Sequence, residues 1–139
     1  MHLNTKAQKN DPVTEYLMVF RLGEQYLIRA EARIQLGKSE GASDLNAIRV
    51  RAGLDVYAGS TDKASLLNAI QHERQVELFT ELGHRWFDMK RTGNLDAIMG
   101  APGNACSAKG GAWQSYKQLF PMPFADITQD QNLKQNTGY

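Results

Sequence analysis

The run LGEQYLIRAEARIQL at residues 22–36, closed by Gly37, carries the strongest structural signal in this 139-residue chain. At about 100° per residue, Leu22, Tyr26, Leu27, Ala30 and Ile34 share one face of a helix. The glycine directly behind it is the residue a left-handed helix cap requires. Residues 40–52 repeat the pattern with Ala42, Leu45, Ile48 and Ala52, and Gly53 stands ready to end that helix. Two helices turning about Gly37 predict a helical hairpin. Upstream, residues 16–21 are bulky and suit a short extended run, and residues 1–14 read as loop. Downstream, residues 55–60 form a loop, and Ser60 or Thr61 is the expected N-cap of a long third helix running to about Leu82. Gly83 interrupts it, residues 84–91 resume it before Gly93, and residues 95–99 form a weaker helical stretch. Residues 100–112 are Gly, Ala, Asn and Ser with little to fill a core, and read as a surface loop. From Trp113 onward no period is sustained: Pro121 and Pro123 impose an extended path, Pro123 can open one helical turn through Ile127, and residues 132–139 are expected to be irregular. No second copy of the hairpin follows at a spacing of about 34 residues. The fold class predicted is mostly α, a tetratricopeptide-like helical hairpin plus a long third helix with an irregular, loop-rich C-terminal tail.

Composition removes several function classes. Sixteen basic and fifteen acidic residues leave a formal charge of +1, which gives no field to hold nucleic acid or anionic lipid. The apolar run at residues 16–20 is far shorter than the roughly 18 residues a spanning helix needs. Residues 1–11 are polar and lack the apolar centre of a signal peptide, which by itself reads as cytoplasmic. One cysteine, Cys106, cannot form an internal disulfide or suggest a zinc cluster. His72 and Glu73 begin a zincin-like helix motif, but Val76 stands where its second histidine belongs. Residues 103–110 lack the glycine and hydroxyl pattern of a phosphate loop. No metal site and no cofactor are predicted.

The third helix places charges inside its apolar stripe. With Leu66 as origin, Leu67, Ile70 and Leu78 span about 120°, and Arg74, Glu77, Glu81 and Arg85 fall within the same arc. Arg74 and Glu77 are spaced i, i+3 and Glu81 and Arg85 i, i+4, so the stripe can neutralise much of itself, with Arg49 and Arg51 as further donors. Asp88 lies three residues from both Arg85 and Arg91 and can bridge them. A structural ion-pair network of Arg74, Glu77, Glu81, Arg85, Asp88 and Arg91 is therefore expected. The alternative, Glu77 and Glu81 as an acid and base pair, is disfavoured because neighbouring guanidiniums lower carboxylate pKa values and leave no protonated acid at neutral pH. No catalytic residue is assigned. Trp86, Phe87 and Met89 predict a packed corner around Asp88. Trp113 is the large aromatic beside the 100–112 loop and the local candidate for ligand binding by stacking; the competing role, which carries more weight, is a plug that pins the tail onto the helices.

Four blocks of this sequence resemble the SusD/RagB family. Residues 15–37, with Arg21, Glu24 and the run Ala30-Glu31-Ala32, resemble the family's helix with an Ala-Glu-Ala signature. Residues 45–54 resemble its next element, Glu73 to Leu78 followed by Gly83 to Arg91 its most recognisable block, and Phe120-Pro121-Met122-Pro123 with Leu133 and Gln135 to Tyr139 its closing pattern. The order and spacing cover nearly all of residues 15–139. Departures are small: Met122 replaces an isoleucine-like residue, Thr137 a common proline and Asp126 a frequent glutamate. The resemblance implies the C-terminal portion of a longer, mostly helical nutrient-binding lipoprotein of the outer-membrane surface. It also implies oligosaccharide or peptide binding by the full-length protein, a SusC-like TonB-dependent transporter as partner, and no catalysis. A free-standing tetratricopeptide-like interaction module without glycan binding is the alternative. Ile28, Ala32 and Leu36 on the first helix, with Val76 and Phe79 on the third, form second apolar faces, so the isolated chain is expected to self-associate.

Overall fold

The structure is a computed structural model that describes residues 19–139, so the loop expected over residues 1–14 and most of the extended run at 16–21 lie outside the described residues. Among the described residues seven helices follow in order: α1 Leu22–Gln35, α2 Glu40–Arg51, α3 Lys63–Glu77, α4 His84–Arg91, α5 Leu95–Gly100, α6 Ala105–Ala108 and α7 Phe124–Gln129, with a 3-10 turn at Ser115–Gln118 between the last two. The described residues contain no strand, and the mostly helical class read from the sequence holds. The described residues form two compact units, divided between Ile70 and Gln71.

The first unit is the predicted hairpin with the start of α3. Its core is Leu27, Ala30 and Ile34 of α1, Leu45 and Ile48 of α2, and Leu66 and Ile70 of α3. Each fully buried aliphatic side chain stabilises by about 1.5–3 kcal/mol relative to exposure. Leu22, expected on this face, is 73% exposed. It is the first helical residue, and a helical side chain leans toward the N-terminus, so it projects beyond the end of the hairpin. α1 ends as its sequence predicts: Gly37 has φ +73°, Lys38 N donates to Arg33 O at 2.8 Å and Gly37 N to Ile34 O at 3.0 Å. This is the double bond of a Schellman cap. Gly53 behind α2 repeats it, with Leu54 N donating to Arg49 O at 2.9 Å.

Polar bonds lock the hairpin. Asp44 of α2 is 4% exposed and accepts from Arg29 Nε at 3.0 Å, Arg29 Nη2 at 2.7 Å and Arg33 Nη1 at 2.7 Å, all from α1. The hydrogen bond to Asp44 raises the Arg29 pKa above its ordinary value. Asn46 Oδ1 accepts from Tyr57 N at 2.7 Å, and Arg49 Nε donates to Asp55 O at 3.0 Å, which folds the loop after α2 back onto it.

Two helix boundaries differ from the sequence reading. α3 is capped by Asp62 rather than Ser60 or Thr61: Asp62 Oδ1 accepts from Ser65 N at 2.9 Å, and Ser60 Oγ steadies the other oxygen at 2.6 Å. Those hydrogen bonds, Ser60 first, hold the Asp62 carboxyl well below its ordinary range. α3 also ends at Glu77, short of Leu82, because Thr80 and Leu82 adopt φ of +65° and +40°. Left-handed residues cannot continue a right-handed helix. The loop read over residues 100–112 carries α6, started by Asn104, whose Oδ1 accepts from Cys106 N at 2.7 Å and Ser107 N at 2.9 Å.

Candidate functional site

The second unit holds the sequence-predicted site residues. Arg74 lies one helical turn before Leu78 on the buried side of α3, and both are about 5% exposed. Arg74 Nε donates to Asp88 Oδ2 at 2.8 Å, and Arg91 Nε donates to Asp88 Oδ1 at 2.8 Å. α4 presents Asp88 on its inner face beside Met89, and Thr92 Oγ1 donates to Asp88 O at 2.7 Å, fixing the end of the helix. The i, i+3 pairing of Asp88 with Arg91 follows from helical spacing. The pairing of Arg74 with Asp88 crosses a turn that residue spacing does not reveal. Glu77 is half-buried at the last turn of α3, Glu81 half-buried in the turn beyond it, and Arg85 exposed on the first turn of α4. With α3 broken after Glu77, Glu81 and Arg85 are not carried on its stripe.

Trp86 of α4 packs edge-on against Trp113, with ring centroids 6.1 Å apart and planes at 73°, and lies tilted by 36° against Phe120 at 5.9 Å. The indole N–H of Trp113 donates to Asp96 Oδ1 at 2.7 Å, and Gln118 Nε2 donates to Asp96 Oδ2 at 2.8 Å. Asp96 of α5 thus gathers the tail. The Trp113 bond is the largest cause of its depressed pKa, with Ser115 and Gln118 adding to the effect against partial desolvation. Trp113 is half-buried, held at one edge by Asp96 and in contact with Trp86. No residue spacing announces Asp96; its signal was only an acidic residue in the first turn of a short helix.

The tail has no long period but is bound along its length. Gln135 acts as a side-chain bridge: Met122 N donates to Gln135 Oε1 at 2.8 Å, and Gln135 Nε2 returns to Met122 O at 3.1 Å. Asn136 Nδ2 donates to Phe120 O at 2.6 Å and Tyr139 O–H to Leu119 O at 2.8 Å. Tyr116 and Tyr139 meet edge to face at 5.1 Å. Gly138, at φ +103°, stands so close to the Tyr116 ring that an added Cβ would fall 2.4 Å from its Cγ. These contacts border a shallow, open cavity of about 460 Å³ lined by Lys90, the Ser115–Gln118 turn and residues 135–137. A second hollow of about 350 Å³ sits at the turn after α3, against Leu78, Phe79, Thr80 and His84. Among the described residues no group of His, Cys, Asp and Glu is placed to hold a metal ion, and no helix is long and apolar enough to cross a membrane.

A helical hairpin, a salt-bridged corner on Asp88 and a tail bonded back through Gln135 and Asn136 define a mostly helical protein with no strand among the described residues. The chain belongs to the SusD family, which matches residues 1–139. It is 32% identical over 132 residues to a SusD-like protein of Formosa agariphila, covering 88% of this chain and 24% of that protein. It is 31% identical over 124 residues to the starch-binding protein SusD of Bacteroides thetaiotaomicron, covering 87% and 21%. Among solved structures it resembles a SusD superfamily protein from Parabacteroides distasonis, with TM-score 0.73 and 27% identity over 87% of this chain and 27% of the other. It resembles one from Bacteroides vulgatus with TM-score 0.73 and 25% identity over 86% and 27%. The chain spans about a quarter of the length of these relatives.

Proposed function

We propose that this chain is the non-catalytic C-terminal helical portion of a glycan-binding lipoprotein of the outer-membrane surface, working with a SusC-like TonB-dependent transporter. The observation that carries the reading is the SusD family match over the whole chain, together with 31% identity to a relative named for starch binding. Part of the chain's role is scaffold: the Asp44 clamp and the Asp88 ion pairs hold helices, and Trp113, half-buried, pins the tail through Asp96. A glycan array with the full-length polypeptide tests the binding, with retention on at least one oligosaccharide and no hydrolysis expected. A blank array, or release of reducing ends, overturns the reading. Co-purification with the outer-membrane transporter tests the partnership. Fluorescence of a variant that keeps Trp113 as its one tryptophan reports whether any sugar reaches the ring.

The isolated chain is further expected to self-associate. Ile28, Leu36, Val76 and Phe79 are 46%, 73%, 57% and 74% exposed. Apolar side chains left at a surface seek cover. Gel filtration with light scattering decides it, and a clean monomer at high concentration is the refuting result.

A further inference from the structure

We infer that the cavity walled by Lys90, the Ser115–Gln118 turn and residues 135–137 is a saccharide site in its own right, taking a neutral hexopyranose unit of an oligosaccharide. This rests on the glycan-binding reading and adds a location and a ligand class to it. Its volume of about 460 Å³ falls within the roughly 300–1,000 Å³ of small-molecule sites. The wall chemistry suits a sugar. Tyr116 and Thr137 bring hydroxyls, and Gln118 and Asn136 bring amides. Hydroxyls and amides both donate and accept, which is the pattern a ring of sugar hydroxyls presents in return. Leu119 and Tyr116, residues 49% and 38% exposed, supply apolar area for the C–H face of a pyranose.

Charge narrows the class. Among the described residues that line the cavity none is acidic, and the one cation, Lys90, donates from its ammonium to Gln118 O at 3.0 Å. A site for metal ions or amines would present carboxylates, and one for phosphates or polysulfates several cations; a single lysine tied to a carbonyl matches neither. The walls are also fixed in advance. Gln135 grips both polar groups of Met122, Asn136 grips Phe120, and Tyr139 grips Leu119 and braces Tyr116. A ligand therefore does not have to order the segment it binds, which removes one of the main costs of association.

The test is an amide-resolved NMR titration of the chain with maltohexaose, cellohexaose and a galacturonate oligomer. Saturating shifts at residues 115–119 and 135–137 with a neutral hexaose, with a dissociation constant on the order of 1 mM, are expected. Thr137 is exposed, so Thr137→Val removes one hydroxyl at little cost to folding and is expected to weaken binding about five- to tenfold. Thr137→Trp, which fills the cavity, is expected to abolish the shifts while spectral dispersion is kept; if it does not fold, the valine variant decides. Unchanged affinity in Thr137→Val overturns the site, as does binding of the galacturonate alone that vanishes in high salt. Shifts confined to other residues overturn the cavity and leave the glycan-binding reading standing. No shift with any sugar overturns the cavity as well, and the glycan reading then stands or falls separately on the array with the full-length polypeptide.

Discussion

Replacing Arg74 with methionine strips the charge from the buried corner while keeping an unbranched apolar stem, so the packing of α3 is largely preserved. The Arg74 and Asp88 side chains are 5% and 7% exposed, and Nε and Oδ2 lie 2.8 Å apart. At that burial neither salt nor water screens the pair appreciably. Breaking a buried pair from one side costs about 3–5 kcal/mol, because the remaining charge keeps its desolvation penalty without its partner. Here Asp88 retains Arg91, whose Nε is 2.8 Å from Oδ1, although that guanidinium is 44% exposed. Half of the compensation survives, which places the expected loss near the lower bound, about 3 kcal/mol.

Urea unfolding followed by circular dichroism measures this, and the corresponding fall in melting temperature is on the order of 10 °C. Neutralising the half-compensated carboxylate with Asp88→Asn in the Arg74→Met background should return about 1–2 kcal/mol, since the penalty belongs to the buried charge and the 44% exposed Arg91 can turn to solvent. A loss below about 0.5 kcal/mol for Arg74→Met, the size expected of a solvated pair, would refute the reasoning. So would an additive double variant, which would mean that the two side chains do not feel each other.

Gly41→Ala should destabilise the hairpin by about 1–3 kcal/mol in a thermal melt, because its Cβ would lie 2.6 Å from Ile34 and 2.7 Å from Ala30 O, forcing α1 and α2 apart. An unchanged melting temperature would show that the helices separate freely. Thr80→Gly should stabilise by about 0.5–1 kcal/mol, since a β-branched residue at φ +65° pays a steric cost that glycine escapes; a lower melting temperature would contradict it. Asp96 has a depressed pKa in the folded chain, so its contribution is complete above its ordinary value of 3.8 and lost as pH falls through the lower folded value. Tryptophan emission should accordingly hold steady down to that ordinary value and change only below it, and Asp96→Asn should remove the acid step; an emission change centred above pH 3.8 would sink this assignment.

The helices that the sequence delimits best are those whose ends are written in local chemistry. Gly37, Gly53 and Gly93 each take a left-handed conformation behind α1, α2 and α4, and each is followed by the backbone bond of a Schellman cap. α3 lacks such a glycine. Its helical pattern runs on through Leu78 and Leu82 while the backbone turns at Thr80, and nothing in the spacing of apolar residues records a strained threonine. The cap at Asp62 competed with two hydroxyl residues just before it, and the outcome depended on Ser60 donating to the aspartate. Arg74 on the core face was legible from rotation alone, and so was Asp88 with Arg91. The clamp on Asp44 was not, because it joins residues 11 and 15 positions apart across a hairpin.

The tail was the least legible part for a related reason. Periodicity reports elements that satisfy their own backbone, whereas the segment around Pro121 and Pro123 can do so only through other residues, since proline offers no donor. Side-chain amides fill that gap. Gln135 takes the place of a neighbouring strand by reading both N–H and C=O of Met122, and Asn136 and Tyr139 reach the carbonyls of Phe120 and Leu119. Such bonds carry no sequence period because each depends on one side chain of the right length meeting one peptide group. They fix the backbone while leaving it curved, and a curved, fixed backbone edged with amides and hydroxyls leaves an open hollow where a regular strand or helix would close the surface. Irregularity here is therefore what permits a preformed binding wall, and the residues that hide the tail from pattern reading, Gln118, Gln135 and Asn136, are the ones that line it.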